Sequence, residues 1–211
     1  MKTTGVLLLL LLFTQAAFSQ QIDMEKDTIQ MQGLEIVKSS KKLKVKTLKL
    51  DGPCYYAENM RNAEEIITLA DKLPAGTLQS VSFYFNDTYT NSKQKEKFKD
   101  TEFELVLYTV TEDDTPGSAI EHDPVIVKVG KAFSGKLIVD LSAQVLECPE
   151  RLFAGLKRIT PADGNDTFFI DCLCSGHDKY MTLTRKAANA SWERRWQCAA
   201  LKAEVNVGVH R

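Results

Sequence analysis

The feature that most restricts the fold is the end of the chain, where Leu201, Ala203, Val205, Val207 and Val209 alternate without a break with Lys202, Glu204, Asn206, Gly208 and His210. A period of two sends successive side chains to opposite faces of a strand, so this segment has one face for a core and one for water. The rhythm recurs upstream. Leu43, Val45 and Thr47 alternate with Lys42, Lys44 and Lys46, and the lysines are expected on the outer face, where they discourage edge-to-edge pairing. Val81, Phe83 and Phe85 alternate with Ser82, Tyr84 and Asn86, and Leu137, Val139 and Leu141 with Lys136, Ile138 and Asp140. Phe103 to Val110 is apolar on both faces toward its end, as a central strand is. Strands are also expected at 125–129, 151–159, 167–174 and 179–184, separated by Pro- and Gly-containing turns at 112–117 and 161–164 and a hairpin turn at 175–178.

Asn62 to Leu73 predicts a helix, with Asn62 as its cap, Glu64 and Glu65 in the first turn, and Ile66, Ile67, Leu69 and Ala70 as its apolar side. The β-branched run Ile66, Ile67, Thr68 makes a short strand the competing reading. About nine to ten short strands with turns between them read as an all-β, antiparallel β-sandwich with one short helix at most. Strand–helix alternation, the mark of a parallel α/β sheet, is absent.

The first residues have the layout of an export signal: Lys2, then an unbroken apolar run from Val6 to Phe13, then Ala17 and Ser19 as small residues one position apart. Cleavage is expected after Ser19, giving a signal peptide at 1–19, a polar leader at 20–33 and one β-sandwich domain at 34–211. Nothing else approaches the ~20 apolar residues of a membrane-spanning helix, so no transmembrane segment is expected after signal cleavage. The chain carries 27 Lys and Arg against 28 Asp and Glu, and loss of Lys2 takes its net charge from −1 to −2. Such a balance gives no electrostatic reason to expect nucleic acid as a partner. The expected location is secreted, periplasmic or at the cell surface.

All five cysteines, Cys54, Cys148, Cys172, Cys174 and Cys198, lie beyond the signal. An oxidising compartment permits disulfides, and an odd number leaves at least one thiol over. Cys148, Cys172, Cys174 and Cys198 are the disulfide candidates, with Cys148 and Cys198 as preferred partners of the Cys172/Cys174 pair and Cys54 as the odd thiol. Cys172, Cys174, His177 and Cys198 are the weaker alternative, a metal site. Thiolate and imidazole are zinc ligands, but Cys-x-Cys departs from the usual spacing, and residues two apart on a strand sit about 7 Å from each other. No catalytic residue stands out: a nucleophile elbow, a His-Glu-x-x-His helix and a phosphate loop are all missing from the sequence. No cofactor is expected.

Trp192 and Trp196 flank Glu193-Arg194-Arg195. Spaced by four, the two rings fall on one side of either a helical turn or a strand, and with Arg194 they would make a stacking platform for a sugar ring or a peptide if exposed. The competing reading is that they cover the end of the core. Tyr55, Tyr56, Tyr84 and Tyr89 are weaker candidates for the same role. Asn86, Asn165 and Asn189 each open a glycosylation acceptor triplet, which matters only in a eukaryotic source, and a bacterial source is favoured.

The stretches Val81-Ser-Phe-Tyr-Phe85, Phe103-Glu-Leu-Val-Leu-Tyr108, Thr115-Pro-Gly117, Leu137-Ile-Val-Asp-Leu141 and Leu152-Phe-Ala-Gly155 together resemble the small exported jelly-roll-like β-sandwich modules of bacterial surface and periplasmic proteins. The resemblance covers roughly residues 78–160, and 172–198 has no counterpart in it. It implies a scaffold that binds glycans or partner proteins, and it carries over no catalytic residue. Three functions follow as expectations, in order: a non-catalytic exported module binding a carbohydrate or a cell-envelope protein; a hydrolase of envelope or extracellular material with an unrecognised site; a structural or adhesion subunit working through sheet edges.

Overall fold

A computed structural model describes residues 43–52, 55–59, 63–85, 100–130, 133–160, 169–174 and 180–209. The expected signal peptide and polar leader, and the expected turns at 161–164 and 175–178, lie outside them. The strands run in chain order as β1 (Lys44–Leu50), β2 (Tyr55–Asn59), β3 (Glu65–Ala70), β4 (Gly76–Phe85), β5 (Thr101–Val110), β6 (Pro116–Ala119), β7 (Ile126–Val129) and β8 (Gly135–Asp140). They continue as β9 (Glu147–Cys148), β10 (Leu152–Arg158), β11 (Phe169–Cys174), β12 (Thr182–Arg185), β13 (Glu193–Arg194), β14 (Cys198–Leu201) and β15 (Ala203–Val209). The helical element among the described residues is one 3-10 turn, Ser142–Gln144.

Two antiparallel sheets face each other across the core. Sheet A has the order β1-β15-β4-β11-β14, with β8 and β9 also on β4 and β2 on β11. Sheet B has the order β13-β12-β3-β10-β5-β6, with β7 also on β5. Within them lie two four-stranded sets, β1-β15-β4-β8 and β3-β10-β5-β7. The chain crosses from one set to the other at nearly every connection, which is the double Greek key of a jelly roll. Residues 169–201 are inserted between the last two strands of that pattern, adding β11 and β14 to sheet A and β12 and β13 to sheet B. This stretch contains residues 172–198, for which the resemblance offered no counterpart.

Phe83, Phe103, Ile66, Leu78, Leu105 and Leu156 are fully buried between the sheets. A second, smaller apolar layer lies on the far side of sheet B. Ile67 and Leu69 of β3, Phe153 of β10 and Leu183 of β12 are buried there, with Val106, Tyr108, Met181 and Trp192 packed against them. This second layer explains why 65–70 is a strand and not the expected helix. All six residues of β3 are buried, alternate ones facing the main core and the outer layer. A strand buried on both faces shows a continuous apolar run in place of alternation. The β-branched side chains decided the local preference.

The expectation for β1 is corrected in a different way. The inward face belongs to Leu48 and Leu50, while Leu43 and Val45 are exposed, Val45 by 53%. Pairing with β15 sets this: Thr47 lies opposite Asn206 and Lys49 opposite Glu204 on the outside, and Leu48 opposite Val205 on the inside. Thr47 Oγ1 donates to Asn206 Oδ1 over 2.6 Å. Since a register fixes every side chain's face at once, the polar pairs and the inward leucines choose the same parity.

Candidate ligand-binding surfaces

Trp192 and Trp196 do not share a platform. Between them, β13 pairs Glu193 with Thr184 and Arg194 with Leu183 at the edge of sheet B. Trp192, just before that strand, is half-buried against the outer apolar layer, its ring edge-on to Tyr108 at 5.6 Å. Trp196, just after it, sits in the turn closed by the Cys198 N–H donating to the Arg195 carbonyl over 3.1 Å. It is 71% exposed, and the Arg194 guanidinium lies 4.2 Å above its ring. The two tryptophans thus part: Trp192 packs against the outer layer, and Trp196 with Arg194 is presented to solvent.

The turn is anchored where it enters sheet A. Cys172 of β11 and Cys198 of β14 form a disulfide. Cys174 is also disulfide-bonded. These bonds remove the thiolates that the alternative metal reading needed. Among the described residues no three His, Cys, Asp or Glu side chains gather to hold a metal, and His177 lies outside them. Cys148, expected in a bridge, is corrected to a free, buried thiol. It stands on β9 opposite Gly76 of β4, inside the main core and away from the other cysteines' strands. The expectation for Cys54 as the odd thiol falls outside the described residues. Desolvation pushes the Cys148 thiol up to about 11, so the reactive thiolate is scarce near neutrality. Native protein held with iodoacetamide at about pH 8 is therefore expected to leave Cys148 unmodified, and unfolded protein to label it. Peptide mapping checks this; rapid labelling in the native state would contradict its burial.

Behind Trp192 lies a group of residues that the sequence did not single out. Glu65 opens β3 on the outer face of sheet B and is 1% exposed. Arg185 Nη2 donates to its Oε1 over 2.7 Å, and Tyr108 Oη to its Oε2 over 2.7 Å. The same Nη2 donates to Tyr108 Oη over 2.8 Å, and Arg185 Nη1 to the Ala188 carbonyl over 2.8 Å. The guanidinium also stacks 4.5 Å above the Trp192 ring. Burial, followed by the hydrogen bond to Glu65, pushes the Tyr108 phenol well above its usual range, so it stays a hydrogen-bond donor. The sequence signal was slight: two adjacent carboxylates at the head of an apolar run, with the partners of Glu65 far along the chain.

A second polar group occupies the outer face of sheet A and brings together two of the weaker candidates. Lys202 Nζ lies 4.4 Å from the Tyr55 ring and 4.5 Å from the Tyr84 ring. Tyr84 Oη donates to Glu204 Oε1 over 2.8 Å, and Lys136 Nζ donates to Glu204 Oε2. The Lys136 hydrogen bond holds the Glu204 carboxyl below its ordinary range. Its contribution to stability is present above the usual carboxylate range and is lost as pH falls through the lowered value. The side chain of Tyr56, and all of Tyr89, lie outside the described residues.

No family model matches the chain, and no curated protein matches it. Solved structures do. One holds the cysteine protease and lectin-like domains of Cwp84, a surface layer associated protein of Clostridium difficile, with a TM-score of 0.51 and 10% identity over 78% of this chain and 36% of that one. Another is a clostridial Cwp84 cysteine protease after propeptide cleavage, with a TM-score of 0.46 and 11% identity over 78% of this chain and 40% of that one. The chain therefore spans well under half the length of the structures it matches. The first of the two supports the β-sandwich at the level of fold. Among the described residues, no helix is long and apolar enough to cross a membrane.

Proposed function

We propose that the chain is an exported, non-catalytic binding module whose partner is a carbohydrate or a cell-envelope protein. The observation that carries this reading is Trp196, an exposed indole on a disulfide-anchored turn with a guanidinium stacked on its ring. A large aromatic side chain left in water at the tip of a rigid loop forgoes burial worth ~2 kcal/mol or more, a cost that binding returns. The Arg194 cation limits the mobility of the indole and adds hydrogen-bond donors at its edge. Export is supported by the signal layout and by the disulfides, which form in oxidising compartments. The lectin-like domain in the matched structure is in keeping with a binding role on this kind of scaffold.

The test is co-sedimentation with insoluble cell-wall sacculi, chitin and cellulose. The intact protein is expected to pellet with at least one of them. Trp196→Ala is expected to weaken retention about tenfold, the ~1.4 kcal/mol of one aromatic stacking contact, with no change in melting temperature. Retention that is indifferent to Trp196 would remove the indole from the reading.

A further inference from the structure

We propose that the outer face of sheet B carries a second binding site, a polar groove for an uncharged, hydroxyl-rich chain such as a neutral oligosaccharide. The proposal rests on the reading of the protein as a binding module and places a distinct surface at its service. Two adjoining hollows, of about 550 Å³ and about 280 Å³, share Glu104 of β5 and Lys157 of β10 as common lining. Both volumes are on the scale of small-molecule sites.

The charges on the walls identify the occupant. In the larger hollow, Glu64 and Glu104 face Lys157, Arg158 and Lys186. The smaller hollow shares Glu104 and Lys157 and adds Glu65, Glu121 and Arg185. Four carboxylates thus meet four cations, with the signs interspersed. A polyanion or a polycation would gain at half of these positions and lose at the other half. Hydroxyl groups, which donate to carboxylates and accept from guanidinium and ammonium, are served by both.

The walls are also prepared for a ligand. Glu65, Arg185 and Tyr108 are locked to one another and backed by Trp192, so little side-chain freedom is lost when a ligand arrives. At the opposite end, the Glu64 and Arg158 side chains make no ion pair among the described residues. They are free to exchange water for ligand hydroxyls.

The test is an amide NMR titration of the whole secreted protein with cellohexaose, maltohexaose and mannohexaose, and in parallel with hexagalacturonate and the chitosan hexamer. At least one neutral hexaose is expected to shift the Glu104, Lys157 and Arg158 amides, with an affinity about tenfold or more above that of either charged chain. Arg158→Ala combined with Glu104→Gln is expected to weaken that binding about tenfold or more while leaving the melting temperature and the Trp196 signals in place. Neutral chains that leave these amides unmoved to about 10 mM, or a charged chain that binds there more tightly, would overturn the proposal. Failure here, with retention on envelope material still dependent on Trp196, would retire the groove and leave the binding-module reading standing. Groove binding that survives alongside Trp196-independent retention would keep the groove and the binding-module reading and remove Trp196 from it.

Discussion

Replacing Glu65 by alanine is expected to lower the unfolding free energy by about 3–5 kcal/mol, because it strands a largely buried guanidinium without its carboxylate. Arg185 has only 16% of its side chain exposed, and the Glu65 side chain 1%. In the variant, Arg185 keeps its hydrogen bonds to Tyr108 and Ala188 but loses the one charge that offsets its desolvation, and the Tyr108 hydroxyl loses its acceptor. Taking out both charges together has a different outcome. Glu65→Leu with Arg185→Met leaves no uncompensated ion, and an apolar pair next to Ile67 and Leu183 extends a layer that is already apolar. The double variant is therefore expected to recover most of the loss, as replaced buried pairs do. Urea unfolding of Glu65→Leu, Arg185→Met and the double variant provides the cycle. Additive losses would mean that Glu65 and Arg185 are not coupled, against their 2.7 Å ion pair.

Removing the Cys172–Cys198 disulfide is the second large effect. The bond closes 26 residues of sequence separation. By chain entropy alone this corresponds to about 3.5 kcal/mol, or roughly 10 °C in melting temperature for a domain of this size. The stretch that it closes holds β12, β13 and the Trp196 turn. β13 has only two residues, both exposed, so it has little burial of its own to hold it. Cys172→Ser with Cys198→Ser is thus expected both to destabilise the fold and to loosen the turn, raising hydrogen exchange at 193–197 more than at β3 or β10. A melting temperature within about 2 °C of the parent would show that sheet pairing alone holds the insertion.

How far the sequence could be read depends on what surrounds each strand. β4, β8 and β15 present one apolar face to the core and one polar face outward, and their alternation stated it plainly. β3 has protein on both faces, so its run of apolar residues lost the period that marks a strand. β1 alternates clearly, yet its parity is reversed, because Thr47 and Lys49 find partners on β15 that the local sequence cannot show. The same holds for the sites. Trp196 and Arg194 are two residues apart, and their association was visible. Glu65, Tyr108 and Arg185 come from β3, β5 and β12, and only the neighbour relations within sheet B bring them near one another. Cys148 misled for a related reason, since spacing carries no information on which strands pair.

The most direct test of the binding role is the indole N–H resonance of Trp196, followed while soluble fragments of cell-wall sacculi and neutral hexaoses are titrated into the protein. A saturable shift of that resonance, moving together with the Arg194 amide and absent from Arg194→Ala, is the predicted result. If the protein binds these probes while the Trp196 indole stays fixed throughout, or binds none of them at any concentration, the account of Trp196 as the contact of a carbohydrate- or envelope-binding module is contradicted.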